Sequence, residues 1–316
     1  MERLHPPGGS DLIRHNALKA YLSNQFGCRV RKLPLSTGLG CPNRNPSTGT
    51  TGCIFCDSTG SGFNALPPDI PVRSQIQRQL KEKSLTNTPT KWIGYFQSFT
   101  NTYGAPQQLK RLFEPVLDFP EIVILDVSTR PDQVPEQVLD ILESFAPYIE
   151  VWVELGLQSV NPSTLQIIRR GHGLMDFIDA VRRTKNRGIP VIAHGILDLP
   201  WDRKQDVEDM AKLFSSLGID GVKTHSLYVV EGTPLAEMVD NGLELLTFDA
   251  FVERTIAFLE LLDPKIVIHR LVSDPPRHNT RMGNWGMPKI QILNQLDKEM
   301  ENRDTWQGKR FQYLHR

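Results

Sequence analysis

Short runs of apolar and β-branched residues recur along the chain from residue 91 onward, and segments with helical periodicity separate them. Runs of this length and composition are typical of buried strands. The predicted strands span residues 32–37, 91–96, 122–127, 150–156, 190–196 and 222–228, with a seventh candidate at 266–271. This alternation of strand and helix indicates repeated βα units around a parallel sheet.

The segments between the strands carry apolar residues three and four positions apart, as on one face of an amphipathic helix. These predicted helices span residues 107–117, 135–145, 164–170, 174–187, 206–217 and 248–262, and the polar segment 80–90 is expected to form a loop. Six βα units suit either a doubly wound sheet or a partial (β/α)6 barrel that resembles a TIM barrel, and we favour the partial barrel. It is expected over residues 32–263, between an N-terminal extension (1–31) and a C-terminal extension (264–316).

In either α/β architecture, functional residues gather at the carboxyl ends of the strands. Polar runs at 97–103 and 128–132 follow the second and third predicted strands. Glu154 interrupts the apolar run of the fourth, and a buried carboxylate needs a partner or a ligand. A structural ion pair with Arg130 is one alternative, and Arg130 could equally hold a carboxylate or phosphate of a substrate.

Two further features have both a structural and a functional interpretation. His172 follows a predicted helix end, where a cation interacts favourably with the helix dipole, so a structural role is as plausible as a catalytic one. The aromatic residues Phe99 and Tyr103 could pack the barrel or stack on a base.

Three of the four cysteines lie in a long, glycine-rich segment after the first strand. Eleven residues separate Cys41 from Cys53, and two separate Cys53 from Cys56. Thiolates are the preferred ligands of iron-sulfur clusters. Three thiolates leave one iron of a 4Fe-4S cluster open, and the amino and carboxylate groups of S-adenosylmethionine suit that position. Reduction through the cluster would then yield methionine and a 5′-deoxyadenosyl radical.

A zinc site is the alternative for the same cysteines, with Cys28 or a histidine as fourth ligand. Such a protein would be a zinc-binding module without enzymatic activity. Cys28 precedes the first predicted strand, where an ordinary half-buried thiol is the simpler interpretation. Were Cys28 a fourth ligand, the argument for an open iron would fail.

Composition is that of a globular enzyme, with 39% hydrophobic and 23% charged residues. No apolar run is long enough to span a membrane and no signal peptide is recognisable, so we expect a cytoplasmic protein. The net charge is zero, although residues 12–56 contain six basic residues and no acidic one, and residues 265–316 contain ten basic and five acidic residues. Scattered surface charge and a docking face for a polyanion are both open.

The cysteine segment resembles that of radical S-adenosylmethionine (radical SAM) proteins related to the catalytic subunit of elongator, in a stand-alone bacterial branch. The likeness covers most of the chain and is carried by CPNR at 41–44, GCIFC at 52–56, YFQSFTNTY at 95–103, TRPD at 129–132, VELGLQS at 153–159, RRGH at 169–172, HRL at 269–271 and DTWQG at 304–308. The resemblance implies the partial barrel, a 4Fe-4S cluster on Cys41, Cys53 and Cys56, and S-adenosylmethionine as cofactor.

The resemblance also assigns cofactor contacts by position in the barrel. Gln97, Ser98 and Phe99 would meet the methionine amino group, and Glu154 with Gln158 would face the ribose and methionine end. Segments beginning at His194 and His225 would form the adenine and nucleoside pocket.

The elongator catalytic subunit modifies the wobble uridine of transfer RNA, so the resemblance implies a transfer RNA substrate. A 5-carboxymethylaminomethyl side chain on that uridine is one expected target, with Arg130 and Tyr103 as candidate substrate contacts. An electron donor such as flavodoxin or ferredoxin is implied, and no DNA partner is expected. A radical enzyme acting on a small metabolite or a peptide is the competing interpretation.

Overall fold

The structure is a computed structural model that describes residues 14–45, 50–57, 59–60, 64–83, 90–276 and 278–314. Its strands are β1 (Arg29–Leu35), β2 (Arg44–Asn45), β3 (Thr50–Thr51), β4 (Thr90–Phe96), β5 (Ile122–Thr129), β6 (Glu150–Gln158), β7 (Val191–Ile196), β8 (Gly221–His225), β9 (Tyr228–Val230), β10 (Val267–Arg270) and β11 (Thr280–Gly283). The order β1-β4-β5-β6-β7-β8-β10 makes one parallel sheet of seven strands. The pairs β2-β3 and β9-β11 are short and antiparallel.

Helices cover the sheet between consecutive strands. They are α1 (Leu18–Phe26), α2 (Val72–Lys83), α3 (Pro106–Phe113), α4 (Glu136–Phe145), α5 (Pro162–Ile167), α6 (Leu174–Asn186), α7 (Lys204–Ser216), α8 (Pro234–Asp240), α9 (Phe248–Leu261) and α10 (Lys289–Asn302). The sheet is curled into a half-barrel, which confirms the predicted partial (β/α)6 barrel and adds a seventh strand at the place expected from residues 266–271.

Two details of the predicted elements are wrong. The strand expected over 222–228 is interrupted at Ser226, because β9 leaves the main sheet to pair with β11. The polar segment 80–90 is not a loop throughout, since α2 continues to Lys83 and β4 begins at Thr90, while residues 84–89 lie outside the described chain. Helices α1, α2, α8 and α10 were not predicted.

The two faces of the sheet pack against different partners. On the outer face, the apolar residues of the strands join the helices in the main core, as Val127, Val153 and Val191 do. On the inner face, a smaller apolar cluster closes the amino-terminal end of the half-barrel, where Leu22 of α1 meets Trp152 and neighbouring strand residues. Helix α1 thereby spans from β10 to β1 across the open side of the half-barrel.

The proposed boundaries after residues 31 and 263 stay a prediction. Strand β10, which comes from the segment 264–316, pairs with β8 as the last strand of the main sheet. Among the described residues, no helix has the length and apolar character that crossing a membrane requires.

Candidate active site

A cavity of about 210 Å³ opens at the carboxyl ends of the parallel strands. Its lining includes Gln97 after β4, Ser128 in β5, Gln158 at the end of β6, His225 in β8 and Arg270 in β10. Because these residues come from strands all along the sheet, the cavity lies at the mouth of the half-barrel, the position expected of an α/β active site.

Cys41, Cys53 and Cys56 all line this cavity, and all three are free thiols. The loop that carries them is folded around Arg44, whose guanidinium donates a hydrogen bond to the carbonyl of Cys56. Gly52 has a φ of 93°, and a Cβ there would lie 2.7 Å from Arg44 Nε, so a side chain would strain the backbone and displace Arg44. We call Cys41, Cys53, Cys56, Arg44 and Arg170 the cysteine wall.

Polar groups approach the sulfur of Cys53 from two sides. Asn43 Nδ2 and Arg170 Nη1 each lie 3.5 Å from Cys53 Sγ. Burial raises the pKa of Cys56 to about 12, and repulsion from Cys53 adds to this effect. Together they outweigh the attraction of Arg44, which lowers the pKa. Thiols with a raised pKa still lose their protons when a metal binds them.

Cys28 lies away from the other three cysteines. It is half-buried and precedes β1, whereas the cysteine segment follows the other end of that strand. Seven residues of extended strand separate those two ends by roughly 20 Å. Cys28 as a fourth ligand is therefore wrong, and the interpretation as an ordinary half-buried thiol agrees with the structure.

Below the cavity, the inner face of the sheet carries a layer of interacting polar side chains from six strands. We call it the charged layer, and its members are Lys32, Tyr95, Asp126, Glu154, His194 and Lys223. Glu154 is fully buried at its centre. Its Oε1 accepts a hydrogen bond from Lys32 Nζ at 2.8 Å, and its Oε2 interacts with Tyr95 Oη at 2.9 Å. His194 Nε2 and Lys223 Nζ each lie 2.8 Å from the same Oε2.

The charged layer shifts the protonation of its own members. Burial favours the neutral form of Glu154, yet Lys223, Lys32 and His194 outweigh it and hold the pKa of Glu154 well below its ordinary value. Burial lowers the pKa of His194 to about 4, with Lys223 adding to the effect. Burial also lowers the pKa of Lys223 to about 7 despite the attraction of Glu154. Glu154 is thus a stable carboxylate that hydrogen-bonds His194, whereas burial and Lys223 keep the His194 ring neutral against the attraction of Glu154.

Most of the sequence-predicted site residues lie around the cavity. Gln97, Gln158, His194, His225 and Arg130 line it together with the three cysteines, and Glu154 lies directly beneath. Ser98 is buried but does not line the cavity, and Tyr103, which is 44% exposed, faces a separate surface hollow. The cofactor and substrate roles of all these residues stay predictions.

The ion pair between Glu154 and Arg130 is wrong. Arg130 instead forms two 2.9 Å contacts with the carboxylate of Asp132, and its third nitrogen donates to the carbonyl of Arg170. His172 is buried, and its Nε2 lies 3.1 Å from the carbonyl of Gly156, a residue that lines the cavity. This contact is a structural one.

The cavity wall contains strained backbone and polar atoms without partners. Phe99 and Gln158 have φ values of 56° and 82°, which side-chain-bearing residues rarely adopt and which concentrate at functional sites. Among the described residues, several buried polar atoms without a hydrogen-bond partner belong to cavity-lining side chains: Arg44 Nε, Thr100 Oγ1, Gln158 Oε1, Arg170 Nε and Arg270 Nε. Buried polar atoms are normally satisfied, so their concentration here indicates a polar ligand.

Several charged residues of the site were not predicted from the sequence, namely Lys32, Asp126, Lys223 and Arg270. Two of them carry the same sequence signal as Glu154, a charged residue inside an apolar strand. Asp126 interrupts the apolar run of β5 and Lys223 that of β8. Each is a buried charge in an apolar strand and therefore needs a partner.

Comparison with known proteins decides the family. The model of the radical SAM superfamily matches residues 35–214, more than half of the chain, and that of the radical SAM C-terminal domain matches residues 219–302. The chain belongs to the radical SAM superfamily. This radical SAM protein is 34% identical to the uncharacterized protein YtqA of Bacillus subtilis, over 95% of the chain and 94% of the relative. It is 31% identical to Escherichia coli YhcC, over 88% and 89% respectively.

A solved structure shares the fold of this radical SAM protein. It is the archaeal Elp3 of Methanocaldococcus infernus, with a TM-score of 0.65 and 20% identity, over 88% of this chain and 64% of that one. At this identity the likeness concerns the fold alone.

The donor chemistry of the cysteine wall fits an iron-sulfur cluster. Three thiols without disulfide partners face one cavity, and thiolates are the ligands such clusters take. In the part of the chain that the structure describes, no group of three or more His, Cys, Asp or Glu side chains is arranged around a single metal ion.

Proposed function

We propose that this radical SAM protein is an enzyme that holds a 4Fe-4S cluster on Cys41, Cys53 and Cys56 and binds S-adenosylmethionine in the adjoining cavity. The observation that carries the proposal is the convergence of three free thiols with unpartnered polar groups on one cavity. When bound, the cluster and S-adenosylmethionine would supply a 5′-deoxyadenosyl radical. The residues of the chain bind, orient and shield these groups.

Individual residues take roles that their contacts support. Gln158, whose side-chain oxygen is buried without a partner, would accept a hydrogen bond from the cofactor. Gln97 would contact its methionine end from the segment that follows β4. His194 and His225 line the opposite side as neutral rings, because burial lowers the pKa of both. Neutral rings suit a nucleoside, since they add no charge beside it.

We further propose that the substrate is a transfer RNA modified at the wobble uridine. Resemblance to the elongator catalytic subunit supports this proposal. The charge distribution supports it less than the sequence suggests, because Lys32 belongs to the charged layer and Arg44 to the cysteine wall. Arg29 and Arg31 are exposed on the edge strand β1 and remain available for phosphate contacts. A reductant such as flavodoxin or ferredoxin would supply the electron.

Anaerobic reconstitution tests the reaction class without a known substrate. The protein should bind about four irons and four sulfides per chain and form 5′-deoxyadenosine only when both dithionite and S-adenosylmethionine are present. Stoichiometric zinc without acid-labile sulfide, or no 5′-deoxyadenosine, would contradict the proposal.

Nucleoside analysis tests the substrate. Transfer RNA from a strain that lacks the gene should contain an altered wobble uridine by mass spectrometry, and expression of the intact gene should restore the original nucleoside. An unchanged nucleoside profile would argue for a small metabolite or a peptide instead.

A further inference from the structure

Arg270, the last residue of β10, is a cation in the cavity wall that lacks an acidic partner. Among the described residues, no carboxylate forms a salt bridge with it, and its Nε is buried without a hydrogen-bond partner. Its Nη2 contacts both ring nitrogens of His225, and His225 is the side-chain partner that the structure gives for it. A guanidinium has five N–H donors, so most of the hydrogen-bonding capacity of Arg270 is unused.

Two of the other cations around the cavity have carboxylate partners. The guanidinium of Arg130 faces both carboxylate oxygens of Asp132, and Lys223 lies 2.8 Å from Glu154. Arg44 and Arg170 donate to the carbonyls of Cys56 and Gly156 and belong to the cysteine wall, where a negatively charged cluster is proposed. Arg270 therefore stands apart as the cation on the β8-β10 side of the cavity without a countercharge in the described chain.

Asp274 also lines the cavity, and it follows Arg270 by four residues in the sequence. Its Oδ2 lies 2.6 Å from Lys289 Nζ, an exposed ion pair at the rim. Asp274 is thus directed to another cation, and it leaves the charge of Arg270 uncompensated.

The histidines hold Arg270 in place without neutralising it. The Nη2 of Arg270 contacts both ring nitrogens of His225, Nδ1 more closely than Nε2, which lies 3.0 Å away. His225 Nε2 in turn lies 3.4 Å from His194 Nδ1, and His194 Nε2 lies 2.8 Å from Glu154 Oε2. Two neutral rings therefore link Arg270 to the charged layer. They fix the guanidinium by hydrogen bonding, while its positive charge stays available to the cavity.

We propose that Arg270 binds a carboxylate of the molecule that the enzyme modifies. The inference rests on the proposed function and narrows its substrate to one with an acidic side chain. A single planar guanidinium matches a carboxylate through two parallel hydrogen bonds, whereas a phosphate group is usually held by several donors. An uncompensated charge in a partly buried wall is costly, and an anionic substrate would remove that cost.

The test compares Arg270→Gln and Arg270→Lys with wild type, using reconstituted enzyme and transfer RNA from the deletion strain. Half of that RNA is treated with carbodiimide and methylamine, which converts carboxylates of its nucleosides to amides and leaves phosphodiesters intact. Wild type should lose about tenfold or more in kcat/KM on amidated RNA. Arg270→Gln should show a similar loss on untreated RNA and no further loss on amidated RNA, and Arg270→Lys should recover part of it.

Arg281→Gln is the matched control, because Arg281 lies on β11 outside the cavity and pairs with Asp240 at the surface. It should behave as wild type on both RNAs. Equal turnover of both RNAs by wild type would overturn the proposal. It would also be overturned if Arg270→Gln were slower than wild type by the same factor on untreated and on amidated RNA, because that result would indicate contact with a phosphate. Binding of S-adenosylhomocysteine weakened by the same factor in Arg270→Gln would assign Arg270 to the cofactor and likewise overturn it.

A binding measurement separates failure of this inference from failure of the transfer RNA proposal. Acetate, compared with chloride at equal ionic strength, should raise the melting temperature of wild type and of Arg281→Gln but not of Arg270→Gln. This result would support a carboxylate site at Arg270 even if no RNA were modified. If acetate also raised the melting temperature of Arg270→Gln, the carboxylate site at Arg270 would be overturned.

Discussion

The cysteine wall and the charged layer lie next to each other at the mouth of the half-barrel, yet they are built in different ways. The three cysteines come from one segment of sixteen residues, whereas the charged layer collects one side chain from each of six strands. The polar atoms of the cysteine wall remain partly unsatisfied, as Arg44 Nε and Arg170 Nε show. At the centre of the charged layer, both oxygens of Glu154 have partners.

This difference indicates a division of roles. A wall with free thiols and unsatisfied donors is incomplete without a ligand. The charged layer needs no ligand at its centre, because protein groups hydrogen-bond both oxygens of Glu154, and Asp126 Oδ1 is its one buried oxygen without a partner among the described residues. Its contacts link the strands that carry the cavity residues. Loss of the cysteine wall should therefore abolish activity and preserve the fold, whereas damage to the charged layer should lower the stability of the fold.

The largest expected effect comes from Cys53→Ala. Removing one of three thiolate ligands should abolish iron binding and 5′-deoxyadenosine formation. In the metal-free protein, the urea midpoint should hardly change, because the substitution removes one sulfur atom, and sulfur is only a weak acceptor for its two N–H contacts. Iron and sulfide analysis, anaerobic turnover and urea unfolding measure the three quantities.

Cys28→Ser is the matched control, since Cys28 is half-buried at the far end of β1. It should keep the iron content and the rate of wild type. If Cys28→Ser lost iron as Cys53→Ala does, the assignment of three ligands would be wrong.

The two regions also differ in how far the sequence predicts them. The cysteine wall is local in sequence, so spacing and ligand chemistry predict Cys41, Cys53 and Cys56 as ligands without any knowledge of the fold, and the structure brings all three to one cavity. The partial barrel was equally accessible, because buried parallel strands are continuous apolar runs.

The charged layer depends on register, which the sequence does not reveal. Asp126, Glu154 and Lys223 are each visible as a charge within an apolar strand, but nothing in the sequence says which charges meet. The pairing of Glu154 with Arg130 failed for this reason, since Asp132, two residues from Arg130, takes the guanidinium instead. Helices α2 and α10 escaped prediction because their polar faces outweigh their few buried residues.

The second prediction tests the charged layer through Glu154→Gln. The substitution keeps the shape but removes the charge that compensates Lys223, so it leaves a buried ammonium without its partner. We expect a loss of about 3–5 kcal/mol in the free energy of unfolding, measured with urea. Glu299→Gln removes a carboxylate from an exposed pair with Arg303 and should leave the midpoint unchanged. Equal midpoints for both variants would mean that the charged layer does not stabilise the fold.

The smallest expected effect is a pH dependence that originates in the charged layer at His194. Burial and Lys223 lower the pKa of His194 from 6.5 to about 4 in the folded protein. Between these values the unfolded chain binds the proton and the folded chain does not, so the contribution of His194 to stability is complete above pH 6.5 and is lost as the pH falls towards 4. A shift of this size corresponds to about 3 kcal/mol.

Urea unfolding of wild type and His194→Gln between pH 4 and 7.5 measures that contribution as a difference. His225 and His269 also have lowered pKa values, through burial first, and the pKa of Asp126 is raised to about 7, which has the opposite sign. These groups remain in both proteins, so the difference between the two curves arises from His194 and from its effect on the pKa values of its neighbours. The wild-type curve should be steeper below pH 6.5. Parallel curves would show that His194 binds a proton in the folded protein as readily as in the unfolded chain, and the neutral link between Glu154 and His225 would then be excluded.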